Sequence, residues 1–372
     1  MPPSRDIVVI GAGVIGCATA YELARRGVSV EIVDDRPAGM GATQASAGLL
    51  APFVEADPDS PLLGLAVRSL ELYDDFIARI VADSGVAVPY RRTGTLNVAT
   101  DEQGLRKLRM TADALSLRGV PADFVDGPGT RTQEPHLASD VVGGLLIPSH
   151  GFVAASELTR GLAAAARRHG AQLVEKSRVL RIFRDGSDLV VETDRGHLTC
   201  DAVVLAAGSW SSAIDIDGVP TRVPVRPVRG QLLYLSWTGP ALRRATWSDR
   251  CYLVPWDDGT VLVGATVEEA EFDERTTVAG VRDLLEAACE IVPHAWTVGF
   301  LGARVGLRPA SPDELPVIGA SAMLPNLMYA TAHFRNGILL APLTAALVAD
   351  AMLDGRVDPM LAAVSPSRFG AL

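Results

Sequence analysis

Three glycines near the start of the chain, Gly11, Gly13 and Gly16 in IVVIGAGVIG, are spaced G-x-G-x-x-G directly after an apolar run and directly before a helical one. That context gives the spacing its chemistry. The first glycine permits a tight turn, the second lets the backbone approach a pyrophosphate, and the third lets helix and strand pack closely. The free N–H groups and dipole of the helix then face the anion. Asp34 follows the next apolar run, where a carboxylate would accept from ribose hydroxyls and repel a 2′-phosphate, which disfavours NADP. The bland alternative is a glycine turn of an ordinary α/β protein with Asp34 solvated. Strand, spacing, helix and acid stand in one register against it, although the motif by itself serves FAD and NAD alike.

A second helix start carries chemistry near the other end, in HFRNGILLAP over 333–342. A flavin needs more than a phosphate turn, because its isoalloxazine lies far from the adenine and gains negative charge on reduction. A helix N-terminus aimed at that edge stabilises the anion. NGILLAPLTAALVADAML supplies such a helix, with Asn336 and Gly337 as its entry residues. The same pattern fits a capped core helix equally well.

The elements that must position these two ends can be read along the chain. DIVVI, GAGVIG, CATAYELARRG and VSVEIV form a βαβ opening. A helical pattern runs from Pro61 to about Ser84, with Ser60 as cap and Pro61 at the first helical position. Alternating stretches at 92–99 and between 223 and 266 read as strands of another sheet, the latter divided by an Asp257, Asp258, Gly259 hairpin turn. Helix and strands return over 156–205, and a strand, LMYATA, precedes the last helix. Sheet-type and nucleotide-type segments therefore alternate, which predicts interleaved domains. A chain of 372 residues is long enough for two cores.

A formal charge of -10 with no basic block argues against nucleic acid and anionic membrane. The four cysteines, Cys17, Cys200, Cys251 and Cys289, are scattered without metal-ligand spacing or a paired framework, so no metal is expected and a reducing cytoplasm fits. Apolar runs such as 7–21 are too short to span a bilayer, and the first strand begins almost at Met1, leaving no room for a leader. A soluble, unexported, cytoplasmic protein is expected, its homo-oligomeric state left open.

Taken together, GAGVIG with Asp34, ATQASAGLL (42–50), AAGSWS (206–211), CYLVPW, GLRP (306–309) and HFRNGILLAP resemble the bacterial glycine oxidases of the D-amino-acid oxidase group, nearly end to end. The resemblance implies an α/β fold: a Rossmann-like, glutathione-reductase-type FAD-binding domain over 1–85, 146–221 and 302–372. Interleaved with it would be a mixed-sheet substrate domain with helices over 86–145 and 222–301. It implies cofactor contacts at Gly11, Gly13, Val14, Ile15, Gly16, Asp34, Asp35, Thr43, Ala47, Gly48, Leu49, Val179, Ala207 and Gly208. His333, Phe334, Arg335, Asn336, Gly337, Ile338 and Leu339 would form the loop and helix start beside the flavin ring. Related sarcosine oxidases attach flavin through a cysteine; none stands near GLRP here, so non-covalent FAD is expected.

The implied chemistry is amine oxidation with oxygen as electron acceptor. The cofactor carries the difficult step and the protein supplies placement. Arg308 matches the family's carboxylate-binding arginine, Tyr252 a tyrosine beside that carboxylate, and Arg335 a second arginine near it. A guanidinium grips two oxygens in one plane, which lysine cannot. Against these stand blander roles: Arg308 paired to Asp313, Tyr252 as core, Arg335 as a surface cap. Two departures point to a substrate larger than glycine with a second acid group: Arg250 where the pattern has histidine, and Val267 where it has methionine. Strand alternation would aim 250 and 252 to one face. An N-substituted glycine, for instance an N-carboxymethyl amino acid, is the sharper expectation. Glycine or sarcosine oxidation for thiamine thiazole formation, or a D-amino-acid dehydrogenase with another acceptor, are the competitors.

Overall fold

The computed structural model describes residues 5–55 and 59–372. Its α/β fold is built on two large sheets and a small one. The nine-stranded sheet places Arg5–Ile10 between Val30–Val33 and Gly196–Leu205, all parallel, with Gln172–Val174 beyond Val30–Val33. Leu327–Thr331 pairs parallel with the C-terminal half of Gly196–Leu205. Strands buried on both faces read as continuous apolar runs, as IVVI and VVL do here. The helix Val14–Arg25 lies on one face of this sheet and packs between Ala155–Arg168 and Gly337–Asp354.

The eight-stranded sheet runs from Gly299–Ala310 at one edge through Arg226–Ser236, Thr260–Gly264, Tyr252–Pro255, Ala245–Trp247, Thr95–Ala99 and Gly143–Ile147 to Asp123–Asp126. Gly299–Ala310 pairs antiparallel with Arg226–Ser236 along its length, as far as Ala310 opposite Arg226. The expected boundary at 302 therefore cuts a strand, and Arg308 rides on the second sheet. The Asp257–Asp258–Gly259 turn joins two antiparallel strands as expected, with Gly259 at φ +80°.

The helical stretch from Pro61 is two helices, Pro61–Glu71 and Tyr73–Ser84, broken at Leu72. Ser60 does cap the first, its hydroxyl accepting from the Leu62 N–H at 3.2 Å. Gly337–Asp354 is long and apolar enough to cross a bilayer by length and composition, but it packs against Val14–Arg25 and Pro61–Glu71 as a core helix. Pro342 lacks an N–H and so leaves the Ile338 carbonyl without its helical partner. The buried Tyr73 hydroxyl donates to that carbonyl, and Ser69 donates to the Leu339 carbonyl at 2.6 Å. Two side chains from the broken helix pair thus fix the start of the helix that faces the site.

Candidate functional site

A cavity of about 730 Å³ opens between the two large sheets, within the range of small-molecule and cofactor sites. At one end lie Gly11, Gly13, Val14, Ile15, Asp34 and Asp35; at the other lie Tyr252, Val267, Arg308, His333, Phe334, Arg335, Gly337 and Ile338. Thr43, Ala47, Gly48, Leu49, Val179, Ala207 and Gly208 also line it. The two stretches that opened the sequence reading therefore share one cavity.

The phosphate end is built for close approach. Gly11 has φ +108°, and a Cβ there would stand 2.4 Å from the Ala206 carbonyl oxygen. A Cβ at Gly16 would stand 1.8 Å from the Gly11 carbonyl oxygen, so Gly16 serves packing and does not line the cavity. Gly13 is different: a Cβ there would meet only the Thr43 hydroxyl, at 3.7 Å, and would otherwise project into the cavity. Gly13 is also the N-cap of Val14–Arg25, with no side-chain cap and no acid in the first turn. Thr43 accepts from the Val14 N–H at 3.2 Å. An anionic pyrophosphate fits this dipole-positive turn, whose N-cap glycine supplies no cap of its own.

Asp34 holds the turn as well as facing the cavity, its carboxylate accepting from the Ala12 N–H at 2.6 Å and the Arg36 N–H at 2.8 Å. Burial pushes its pKa up, against the lowering effect of those two bonds. Asp35 is exposed beside it. Arg36 stacks over Trp210 at 4.3 Å and forks onto Glu274 at 2.8 and 2.9 Å, tying the loop after Thr260–Gly264 to the nucleotide end.

At the other end, Arg308 and Tyr252 each lie flat on a glycine. A Cβ on Gly230 would be 2.3 Å from the Arg308 guanidinium, and one on Gly264 would be 2.4 Å from the Tyr252 hydroxyl. A mid-strand glycine marks such close approach. Arg308 Nη1 donates to the Thr266 carbonyl at 2.9 Å, and Asp313 takes Arg368 as a partner at 2.8 Å. Trp247 packs against Tyr252 with ring centroids 5.1 Å apart and also lines the cavity. Sequence reasoning passed over Trp247 and Gly230. An aromatic directly across a short hairpin from Tyr252, and a glycine inside the strand RGQLLYLS, were the available signals.

Arg250 is a correction. It sits in the Ser248–Cys251 turn before the strand Tyr252–Pro255 begins, so alternation does not carry its direction over from Tyr252. Its guanidinium pairs with Glu290, and it is not part of the cavity wall. Val267 does line the cavity, 53 % exposed. Arg335 is exposed at the wall, its guanidinium 5.3 Å over the Phe334 ring. Asn336 and Leu339 lie behind the wall, Asn336 as the N-cap of Gly337–Asp354. That helix likewise has neither a side-chain cap nor an acid in its first turn, so its dipole-positive end is left to the cavity.

Ala332 and Phe334 flank His333 with φ +58° and +46°, the left-handed region that non-glycine residues adopt at a cost. His333 is buried, and its Nε2 lies 3.0 Å from the Thr344 hydroxyl. Burial lowers its pKa to about 3, and that of the buried His150 likewise to about 3. A histidine whose folded pKa lies below its unfolded 6.5 binds protons more readily when unfolded. Its stabilisation is therefore complete above pH 6.5 and lost as pH falls toward 3. Each should cost about 1 kcal/mol between pH 7 and pH 5.5, above the range in which carboxylates titrate. Urea midpoints at the two pH values check this; equal midpoints refute it.

None of the four cysteines lines the cavity, and all four are free. Among the described residues no group of histidine, cysteine and acidic side chains could hold a metal ion.

Comparison with known proteins agrees with this geometry. The family of FAD dependent oxidoreductases designated DAO matches residues 6–351. The bifunctional protein ThiO/ThiG of Trichormus variabilis is 35% identical over 98% of this chain, which spans 55% of that protein's length. The glycine oxidase of Geobacillus kaustophilus is 33% identical over 93% of this chain and 92% of its own, and its crystal structure superposes with a TM-score of 0.94, covering 98% and 99% of the two chains. The crystal structure of iminodiacetate oxidase from Chelativorans superposes with a TM-score of 0.88 at 26% identity, covering 97% and 98%. A dipole-positive glycine turn, a cavity long enough to join it to an arginine and a tyrosine, and a match across nearly the whole chain lead to one assignment: this chain belongs to the DAO family of FAD dependent oxidoreductases.

Proposed function

We propose that the protein is an amine oxidase that binds FAD non-covalently and oxidises the glycine Cα–N bond of an N-substituted glycine, releasing glyoxylate and a free amine while oxygen, the final acceptor, is reduced to hydrogen peroxide. The observation that carries this is the single cavity running from Gly13 to Arg308 and Tyr252. When bound, FAD supplies a two-electron acceptor.

The residues of the chain supply placement. Arg308, pressed flat on Gly230 at the cavity wall, offers a planar guanidinium that can grip a carboxylate through two oxygens. The Tyr252 hydroxyl, on the same wall, donates to that carboxylate and narrows its orientations. Trp247 and Val267 flank the substrate and exclude water. His333, neutral and pinned to Thr344, takes no proton in the working pH range. Once oxidised, the substrate imine hydrolyses in water.

With Arg250 turned to Glu290, Arg335 at the cavity wall, in the segment that also brings His333 and Phe334 there, is the cation assigned to a second acid group. The likeness to an iminodiacetate oxidase supports such a substrate, since iminodiacetate is N-carboxymethyl glycine. The likeness to ThiO/ThiG favours the second reading, glycine oxidation for thiazole formation. The division into FAD-binding and substrate-binding parts is proposed to follow the two large sheets, with 302–310 moved to the substrate part. Free buried cysteines support a reducing, cytoplasmic setting.

Steady-state kcat/KM on glycine, sarcosine, iminodiacetate and N-carboxymethyl amino acids decides between the readings. The N-carboxymethyl compounds are expected to exceed glycine by about tenfold or more, the worth of one additional charged contact. A preference for glycine would instead establish the second reading.

A further inference from the structure

The segment after the strand Thr260–Gly264 carries an ion-pair network that the proposed chemistry does not use. Glu268 Oε1 accepts from the Thr266 hydroxyl at 2.5 Å and from Gln231 Nε2 at 2.7 Å, and Glu268 Oε2 accepts from Arg229 Nη2 at 2.7 Å. Arg229 is 7% exposed and also pairs with Asp273 at 3.0 Å. The backbones agree with the side chains: Arg229 and Glu268 exchange N–H to carbonyl bonds of 2.9 and 3.0 Å, and the Gln231 N–H donates to the Thr266 hydroxyl at 2.9 Å. Hydrogen bonds from Thr266, Gln231 and Arg229 outweigh burial and hold the Glu268 carboxyl below its ordinary pKa, so it is ionised at neutral pH.

The network converges on the carbonyls of Thr266 and Arg229. Arg308 Nη1 donates to the first at 2.9 Å and reaches the second at 3.5 Å. A long guanidinium side chain loses much rotamer freedom when it is held in one plane, so an acceptor fixed beforehand spares that loss on substrate binding. Thr266 lies past the end of its strand, and the chain there is held by these bonds.

We propose that Glu268 is a positioning residue for Arg308: it fixes the Thr266 and Arg229 carbonyls that hold the guanidinium in the plane from which it meets the substrate carboxylate. The inference rests on Arg308 being the carboxylate anchor. It predicts a defect in carboxylate binding that depends on Arg308, which loss of packing alone would not produce.

Acetate is the probe, titrated into FAD-loaded protein and read from the flavin absorption band, in wild type, Glu268→Gln, Arg308→Lys and the double variant. Glu268→Gln should raise the acetate Kd about tenfold in wild type but less than about twofold on Arg308→Lys, because the two act as one unit. It should raise KM with kcat changed less than about threefold, since uniform binding is what is lost. Thr266→Val, which removes only the hydroxyl link, should raise the Kd about threefold. An equal factor in both backgrounds, or no change in either variant with Arg308 present, overturns the proposal. If Glu268→Gln fails to retain flavin, Thr266→Val decides alone. Arg308→Ala serves as the control: an unchanged acetate Kd there would remove the anchor reading itself and this inference with it.

Discussion

Arg308→Ala should lower kcat/KM for amino-acid substrates by about a thousandfold, from losing a charge-assisted, two-toothed contact at the cavity wall. Flavin content should not change, because Arg308 stands on the second sheet with its guanidinium donating to the Thr266 carbonyl, whereas the glycine turn is built on the first. The split between kinetics and cofactor content makes the result informative. If alanine emptied the protein of flavin, Arg308 would be a scaffold residue. If kcat/KM fell less than about tenfold, the carboxylate would be held elsewhere, with Arg335 the next candidate at the cavity wall. Arg308→Lys should recover only part of the loss, because an ammonium cannot lie flat on Gly230 and serve a carbonyl and a carboxylate from one plane.

How much of this site was legible in the sequence depends on whether the interaction is local. The glycine turn is contiguous, and its strand, turn and helix each follow from residues within the 5–33 segment, so that local structure was legible from one end of the chain. The helix at Gly337 was legible as a helix, but its placement rests on Tyr73 and Ser69 from far upstream, and those bonds answer a proline whose cost pattern alone does not locate. The same requirement bears on the helix pair: the run from Pro61 to Ser84 breaks at Leu72, next to the Tyr73 that must reach the Ile338 carbonyl.

Arg250 shows the limit most clearly. Alternation was applied across 250–252, but the chain turns at Ser248–Cys251, where alternation has no meaning, and Glu290 captures the guanidinium from a helix 40 residues away. Nothing within the TWSDRCY stretch names that partner. The boundary expected at 302 falls inside a strand for a related reason: a strand's extent is set by its neighbour, and Arg226–Ser236 keeps pairing as far as Ala310.

The glycine turn yields the second large effect, through a contrast between neighbours. At Gly16 an added methyl would sit 1.8 Å from the Gly11 carbonyl oxygen, a backbone atom that cannot yield without parting helix from turn. Gly16→Ala should therefore destabilise the protein by about 3 kcal/mol and lose the cofactor as a consequence. Gly13 has φ -71° and ψ -179°, an ordinary extended conformation, and its added methyl would find only the Thr43 hydroxyl at 3.7 Å. Gly13→Ala should fold with apoprotein stability within about 1 kcal/mol of wild type. Its FAD Kd should nonetheless rise by about a hundredfold, because the methyl occupies the ground where a pyrophosphate must approach the backbone. Thermal unfolding of the apoproteins and quenching of flavin fluorescence on titration separate the two effects. Tight FAD binding by Gly13→Ala would mean that the phosphates lie away from this turn, and the dipole-positive start of Val14–Arg25 would then need another anion.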